Sequence, residues 1–248
     1  MSAEWKRLNI LWPADGSFPP HRPRDGDQAH KLAALIGSTF ADDPRCSIPA
    51  GLFHTGKAGD ATAGQGLSPI RYSANRRGMS VTAVGDDAVD VLAQAGHRLT
   101  RALARQAGQP LQEQWSGGFV RWSAGRTLSR YKVHHFVFTR KPAKAYPELQ
   151  ADLLANNATP QVLALLEDRI RKGLQRQATA LGLPELEADP LLQIESVEHL
   201  SGWNRGNGFY GLVAHDLVFQ TDLNLMGPWH IGSLCLLGNG AVGRLDRR

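Results

Sequence analysis

The chain has 248 residues, 42% hydrophobic and 21% charged, the composition of a globular protein with one large domain or two small ones. Lys and Arg outnumber Asp and Glu by 28 to 23, a formal charge of +5 that suits an anionic partner where the cations cluster. No apolar run is long enough to span a bilayer, no signal-peptide pattern opens the sequence, and no P-loop, dinucleotide fingerprint or nucleophile elbow occurs.

The two cysteines, Cys46 and Cys235, stand far apart among apolar neighbours, so a reducing cytoplasm is expected. The nine histidines show no metal-ligand spacing, which predicts chemistry without a protein-held metal or other cofactor. His134 and His135 are adjacent in a predicted strand, where one must face the core.

In chain order, a short strand at residues 7–12 leads into a proline-rich loop reaching Arg24. A helix is predicted over 26–40, capped by Asp25 or Asp27, with Ala29, Leu32, Ala33, Ile36 and Phe40 forming its apolar stripe. Residues 49–69 are turn-rich. Strands at 70–74 and 79–84 flank Arg76-Arg77-Gly78, and a second helix, capped by Asp86 or Asp87, ends near Gly108. Another strand pair is predicted at 112–115 and 119–122. The resulting β-α-β-β-α-β order is the ferredoxin-like pattern.

The second half partly repeats it. A strand at 133–139 precedes a helical segment, 146–181, interrupted at 156–160, where Thr159 caps and Pro160 takes the first helical position. Strands return at 192–199 and 208–225, and a short helix at 228–237 ends at Gly238. The link at 124–131 is too short to separate independent domains. The expected fold is therefore α+β, with two ferredoxin-like (RRM-like) halves at 1–125 and 126–248. The second carries a helical insertion, about 146–182, and ends in a glycine-rich loop.

The cations are not scattered evenly. Between residues 116 and 147 lie Arg121, Arg126, Arg130, Lys132, Arg140, Lys141 and Lys144 without one acid, interleaved with Trp122 and Tyr131. Arginines beside aromatics suit unpaired bases. Arg98, Arg101 and Arg105 share one face of the second helix, and Arg169, Lys172 and Arg176 share one face of the later helix. Each set makes a ridge able to follow a phosphate backbone.

The C-terminus is the most specific feature: Leu217-Val218-Phe219-Gln220-Thr221-Asp222-Leu223, then Gly238-Asn239-Gly240-Ala241-Val242-Gly243-Arg244-Leu245. Glycines there either let backbone approach RNA or a neighbouring helix closely and present N–H groups to phosphate, or simply cap a helix at Gly238 ahead of a tight turn. The first reading gives Gly238, Gly240 and Gly243 to RNA binding. This segment resembles the signature of the RAMP superfamily of CRISPR proteins, and within it the repeat-processing endoribonucleases, in a form similar to the type IV one.

The resemblance implies an RNase that binds the hairpin of CRISPR precursor repeat RNA and cuts at the base of its stem without metal. A 2′-hydroxyl would attack the adjacent phosphate, leaving a 2′,3′-cyclic phosphate and a 5′-hydroxyl. It also implies retention of the crRNA product and partnership with other CRISPR effector-complex subunits. In that family the general base lies on or near the first helix, which points to His30. His21 is the second choice, with Arg22 and Arg24 beside it for phosphate. Arg244, next to the glycine loop, is assigned to the scissile phosphate. The rival readings are a non-catalytic crRNA-binding subunit of an effector complex and a general double-stranded nucleic-acid binder. No membrane partner is expected.

Overall fold

The computed structural model describes residues 2–16, 69–74, 77–139, 158–185, 189–204, 209–232 and 239–245. The helix expected at 26–40 and the proline-rich loop lie outside these residues.

Strands β1 (Ala3–Leu11), β2 (Ile70–Ala74), β3 (Gly78–Val84) and β4 (Gln112–His134) pair antiparallel in the order β2-β3-β1-β4. Alternation decides which face is covered. Leu8 and Ile10 of β1, Val81 and Ala83 of β3, and Tyr72 of β2 all point to one side. There they meet Val89, Leu92, Leu99 and Leu103 of helix α1 (Asp86–Ala107). Leu8, Ile10, Leu92 and Leu103 are fully buried, and each such side chain contributes about 1.5–3 kcal/mol of transfer free energy. The predicted caps differ in kind: the N-cap is Gly85, with no side-chain cap, and Asp86 and Asp87 sit inside the first turn, where their charge complements the helix dipole. Gly108 at φ 68° closes the helix, as its sequence position implies.

The predicted strand pair at 112–115 and 119–122 is instead part of one strand of 23 residues, β4. Gly117 and Gly118 are not a turn; they pair with Lys6 and Trp5 of β1. A Cβ at Gly117 would lie 2.9 Å from the Trp5 carbonyl oxygen, so glycine serves close strand approach here. The supposed link at 124–131 also belongs to β4, with a bulge between Ala124 and Ser129.

The second half is built around the continuation of β4. Its elements are β5 (Phe136–Thr139), α2 (Pro160–Ala180), β6 (Leu192–Ser196), β7 (His199–Asn204), β8 (Phe209–His215), β9 (Leu217–Met226), β10 (Trp229–His230) and β11 (Ala241–Arg244). β9 pairs with β4 and carries β6 on its far edge, while β11 and then β10 extend the sheet from β4's other edge. β5, β8 and β7 form a separate three-stranded sheet. The predicted strand at 133–139 is divided by His135, whose φ is 47°; Asp216 breaks β8 from β9 with the same φ. Both chain segments thus leave one sheet for the other through a left-handed residue.

α2 follows its signals closely. Thr159 accepts a hydrogen bond from the Val162 amide at 3.4 Å, and Pro160 occupies the first turn. Leu166, Ile170 and Leu174 are fully buried against a core containing Phe219, Trp229 and Tyr131. The short helix predicted at 228–237 is not formed at its start: Trp229 and His230 pair as a strand with Val242 and Ala241. Among the described residues the fold is mixed α+β, with antiparallel sheets and few helices.

Candidate nucleic-acid interface

Arg244, at the end of β11, is exposed and held by neutral groups. Its guanidinium donates to Asn224 Oδ1 at 2.7 Å and to Ser129 Oγ at 3.0 Å, and its Cζ lies 6.0 Å from the Tyr131 ring centroid. No carboxylate among the described residues neutralises it, so it is a positioned cation with its charge unspent. Tyr131 itself is buried, its hydroxyl donating to the Leu223 carbonyl at 3.1 Å and accepting from the Leu225 amide at 2.8 Å. That is the satisfied burial expected of a core tyrosine rather than a stacking platform.

The acid-free strip of the sequence acquires acids in three dimensions. Arg130 makes a forked pair with Glu195 of β6, with contacts of 2.7 to 3.1 Å. Those hydrogen bonds, with one from Gln220, hold Glu195 below the usual carboxylate range. Lys132 lies 3.1 Å from Asp216, and His134 Nδ1 is also 3.1 Å from it. Burial raises the Asp216 pKa, but hydrogen bonds with Lys132 and Glu198 and the nearby charges of Lys132 and His134 outweigh it, so the net shift is downward.

Arg121 and Arg126 of the same strand are exposed and have no ion pair among the described residues. Arg121 instead lies over Phe119, 5.3 Å from the ring centroid, and Phe119 is 51% exposed. The strip's exposed aromatic is therefore Phe119. Trp122, which the sequence suggested, turns inward and stacks on Trp229 at 5.8 Å.

Of the helical ridges, Arg98, Arg101 and Arg105 are exposed on α1, and Lys172 and Arg176 are exposed on α2. Arg169 is half-buried, and Lys172 pairs with Asp168 at 2.9 Å. Gly240 has φ 71° and its amide donates to the His134 carbonyl at 2.8 Å, while Gly243 is exposed and pairs with Lys132 in the sheet. His21, Arg22, Arg24, His30, Arg140, Lys141, Lys144 and Gly238 lie outside the described residues.

One cluster escaped sequence reasoning. His199 and His215 stack with centroids 4.0 Å apart and planes 7° apart, and His135 meets His215 edge-on at 5.1 Å. Ser201 Oγ lies 2.7 Å from His215 Nε2. Stacked rings place their nitrogens side by side rather than converging on a point, and no metal-holding group of three occurs among the described residues. Neither His134 nor His135 is buried, against the expectation that one would face the core; the left-handed turn at His135 takes it out of the strand's alternation. Pairing of β8 with β7 on one edge and β5 on the other brings these histidines together, so no local spacing announces them.

Two of three comparisons with known proteins returned matches. The chain superimposes on a structure titled "Csf5, CRISPR-Cas type IV Cas6 crRNA endonuclease" with a TM-score of 0.64 at 17% identity, covering 98% of this chain and 100% of that one. It matches "Crystal structure of Cas6b" with a TM-score of 0.67 at 11% identity, covering 99% and 100%. At these identities the likeness speaks for the fold. A search of curated protein sequences returned no match. The family model for the type IV CRISPR-associated endonuclease Csf5 matches residues 26–245. That span takes in most of the chain, including β11 and Arg244, and the chain belongs to this family of CRISPR repeat-processing, RAMP-like proteins.

Proposed function

We propose that the protein is a metal-independent endoribonuclease that binds the stem-loop of CRISPR precursor repeat RNA and cuts it to mature crRNA. Family membership carries this reading, and the placement of Arg244 gives it a chemical form. In-line attack by a 2′-hydroxyl needs a base for its proton, an acid for the departing 5′-oxygen and a cation for the phosphorane's charge. The 2′-oxygen–phosphorus bond forms, the phosphorus–5′-oxygen bond breaks, and one proton passes from the 2′-hydroxyl to the base while another reaches the leaving oxygen. The products are a 2′,3′-cyclic phosphate and a 5′-hydroxyl.

Arg244 suits the cation's role, because two hydrogen bonds to neutral oxygens fix it without lowering its charge. His30 is the preferred base, His21 the second, with Arg22 beside it. Stem phosphates fall to Arg24, Arg98, Arg101, Arg105, Arg121, Arg126, Arg130, Lys132, Arg140, Lys141, Arg169, Lys172 and Arg176, and to the backbone at Gly238, Gly240 and Gly243. The order β2-β3-β1-β4 supports a ferredoxin-like N-terminal half, 1–125, sharing β4 with a second half, 126–248. Product retention, assembly with other effector subunits and a cytoplasmic setting belong to the same reading.

The test incubates purified protein with labelled precursor repeat RNA in EDTA and maps the product ends. One cut beside the stem with a cyclic phosphate is the expected result. Tight hairpin binding without cleavage would instead identify a non-catalytic crRNA-binding subunit.

A further inference from the structure

The face of the N-terminal sheet turned away from α1 has an unusual composition. Cross-strand register places Arg71, Thr82, Arg7 and Ser116 in one row, and Ser73, Ser80, Asn9 and Gln114 in the next. Trp5 follows Arg7 on the same side, in register with Val84 and Gly118. The four strands contain two acids up to residue 120, Glu4 and Glu113, and both fall on the α1 face, in line with Leu8 and Ile10. The opposite face therefore carries charge of one sign only.

Arg7 is its centre. The residue is half-buried, its Nε donates to Thr82 Oγ1 at 2.9 Å, and its Cζ lies 5.6 Å from the Trp5 ring centroid. A hydroxyl and an aromatic face are its partners among the described residues. A partly desolvated guanidinium without an anion is costly to hold, and burial alone lowers its pKa. Arg71, in the same row and 4% exposed, adds a second positive charge; its Nη1 reaches the Pro228 carbonyl at 3.3 Å and His230 Nδ1 at 2.8 Å. Ser73, Gln114 and Ser116 are exposed, and Asn9, Ser80 and Trp5 are half-buried, Trp5 packing in part against the second core, so hydrogen-bonding groups and the uncovered part of the indole lie around Arg7.

We infer that this sheet face is a second RNA-binding surface, distinct from the stem contacts proposed above, that takes a single-stranded stretch of the RNA with a phosphate on Arg7 and a base against Trp5. It rests on the reading that the partner is RNA. A guanidinium over an indole on a flat, acid-free, hydroxyl- and amide-bearing sheet matches the needs of unpaired nucleotides. Their bases stack and hydrogen-bond by their edges while the backbone asks for a cation. A duplex stem offers no free base to such a face.

The experiment measures Kd for the full chain with a repeat hairpin alone and with the same hairpin carrying about ten unpaired nucleotides on either end. The readout is the ratio of the two affinities. For the wild type the flanked RNA is expected to bind about tenfold tighter than the bare hairpin on at least one end. Arg7→Ala should bring that ratio to about one. Ser116→Glu, which sets a carboxylate in register with Arg7 at an exposed position and leaves the core untouched, should do the same. A wild-type ratio of one, or a ratio that survives Ser116→Glu, overturns the proposal. Cleavage in EDTA is scored separately on the wild type, so a protein that fails to cut but keeps the ratio refutes the nuclease reading and leaves this one standing.

Discussion

Arg71 Nη1 lies 2.8 Å from His230 Nδ1, joining strand β2 to strand β10 through two buried side chains. A guanidinium only donates, so Nδ1 must accept and the imidazole is neutral. Burial, then the charges of Arg71 and Arg7, hold the His230 pKa well below its usual 6.5.

This has a consequence for acid stability. The unfolded chain takes up a proton near pH 6.5 that the folded chain refuses, so the stabilisation is complete above that value and declines as pH falls through it. The limiting slope is about 1.4 kcal/mol per pH unit for one such group. Melting temperatures measured from pH 8 to pH 5 should fall on the acid side, and His230→Asn, whose amide oxygen can still accept from Arg71, should remove that component. An unchanged acid slope in the variant would show that other groups control it.

Gly240 and Gly243 should respond differently to alanine. A Cβ at Gly240 would lie 1.8 Å from the Ile231 carbonyl oxygen, at a φ of 71°, whereas nothing stands within 4 Å of one at Gly243. Gly240→Ala is expected to cost more than about 3 kcal/mol, and Gly243→Ala less than about 1 kcal/mol. Urea unfolding of the two variants decides this, with equal losses counting against the packing argument.

Arg244→Ala should slow cleavage by about 10²- to 10³-fold, the usual effect of removing one donor to a developing oxyanion. Arg244→Lys should recover little of it, since an ammonium cannot span Asn224 and Ser129 with a planar fork. Single-turnover rates at saturating protein separate this from a binding defect. A loss confined to Kd would move Arg244 from the chemistry to the binding surface.

Along β4, ion pairing sorts the cations. Arg126→Ala is expected to lower the salt slope of hairpin binding by about one, because that charge is free to displace a counterion. Lys132→Ala should change it less, since Asp216 already holds the ammonium at 3.1 Å. The triple change of Arg169, Lys172 and Arg176 to Ala should weaken binding and flatten the slope, and identical affinities across a salt series would sink that expectation.

Much of this architecture can be read from local signals. Thr159 and Pro160 start α2 where the caps say, and the stripe of Val89, Leu92, Leu99 and Leu103 settles which side of α1 is buried. The features that stay hidden depend on distant partners. Gly117-Gly118 reads as a turn because nothing local reveals that β1 must lie against it. Arg130 and Lys132 look unpaired because Glu195 and Asp216 arrive from β6 and from the corner between β8 and β9. Trp122 and Tyr131 look available to bases until the inward alternation of β4 buries both.

The unbroken run of β4 has a last implication. Its first stretch is laddered to β1 and its later stretch to β9 and β11, so the two cores are joined by one backbone rather than by a tether. At the junction Val120 is laddered to β1 and Arg121 to β9, so a hinge at that point would tear paired amides apart, and the bulge between Ala124 and Ser129 falls beyond it. Melting either core strips the neighbouring ladder of an edge, so denaturation should be a single cooperative event, and a chain divided at the middle of β4 should yield two pieces that fail to fold alone.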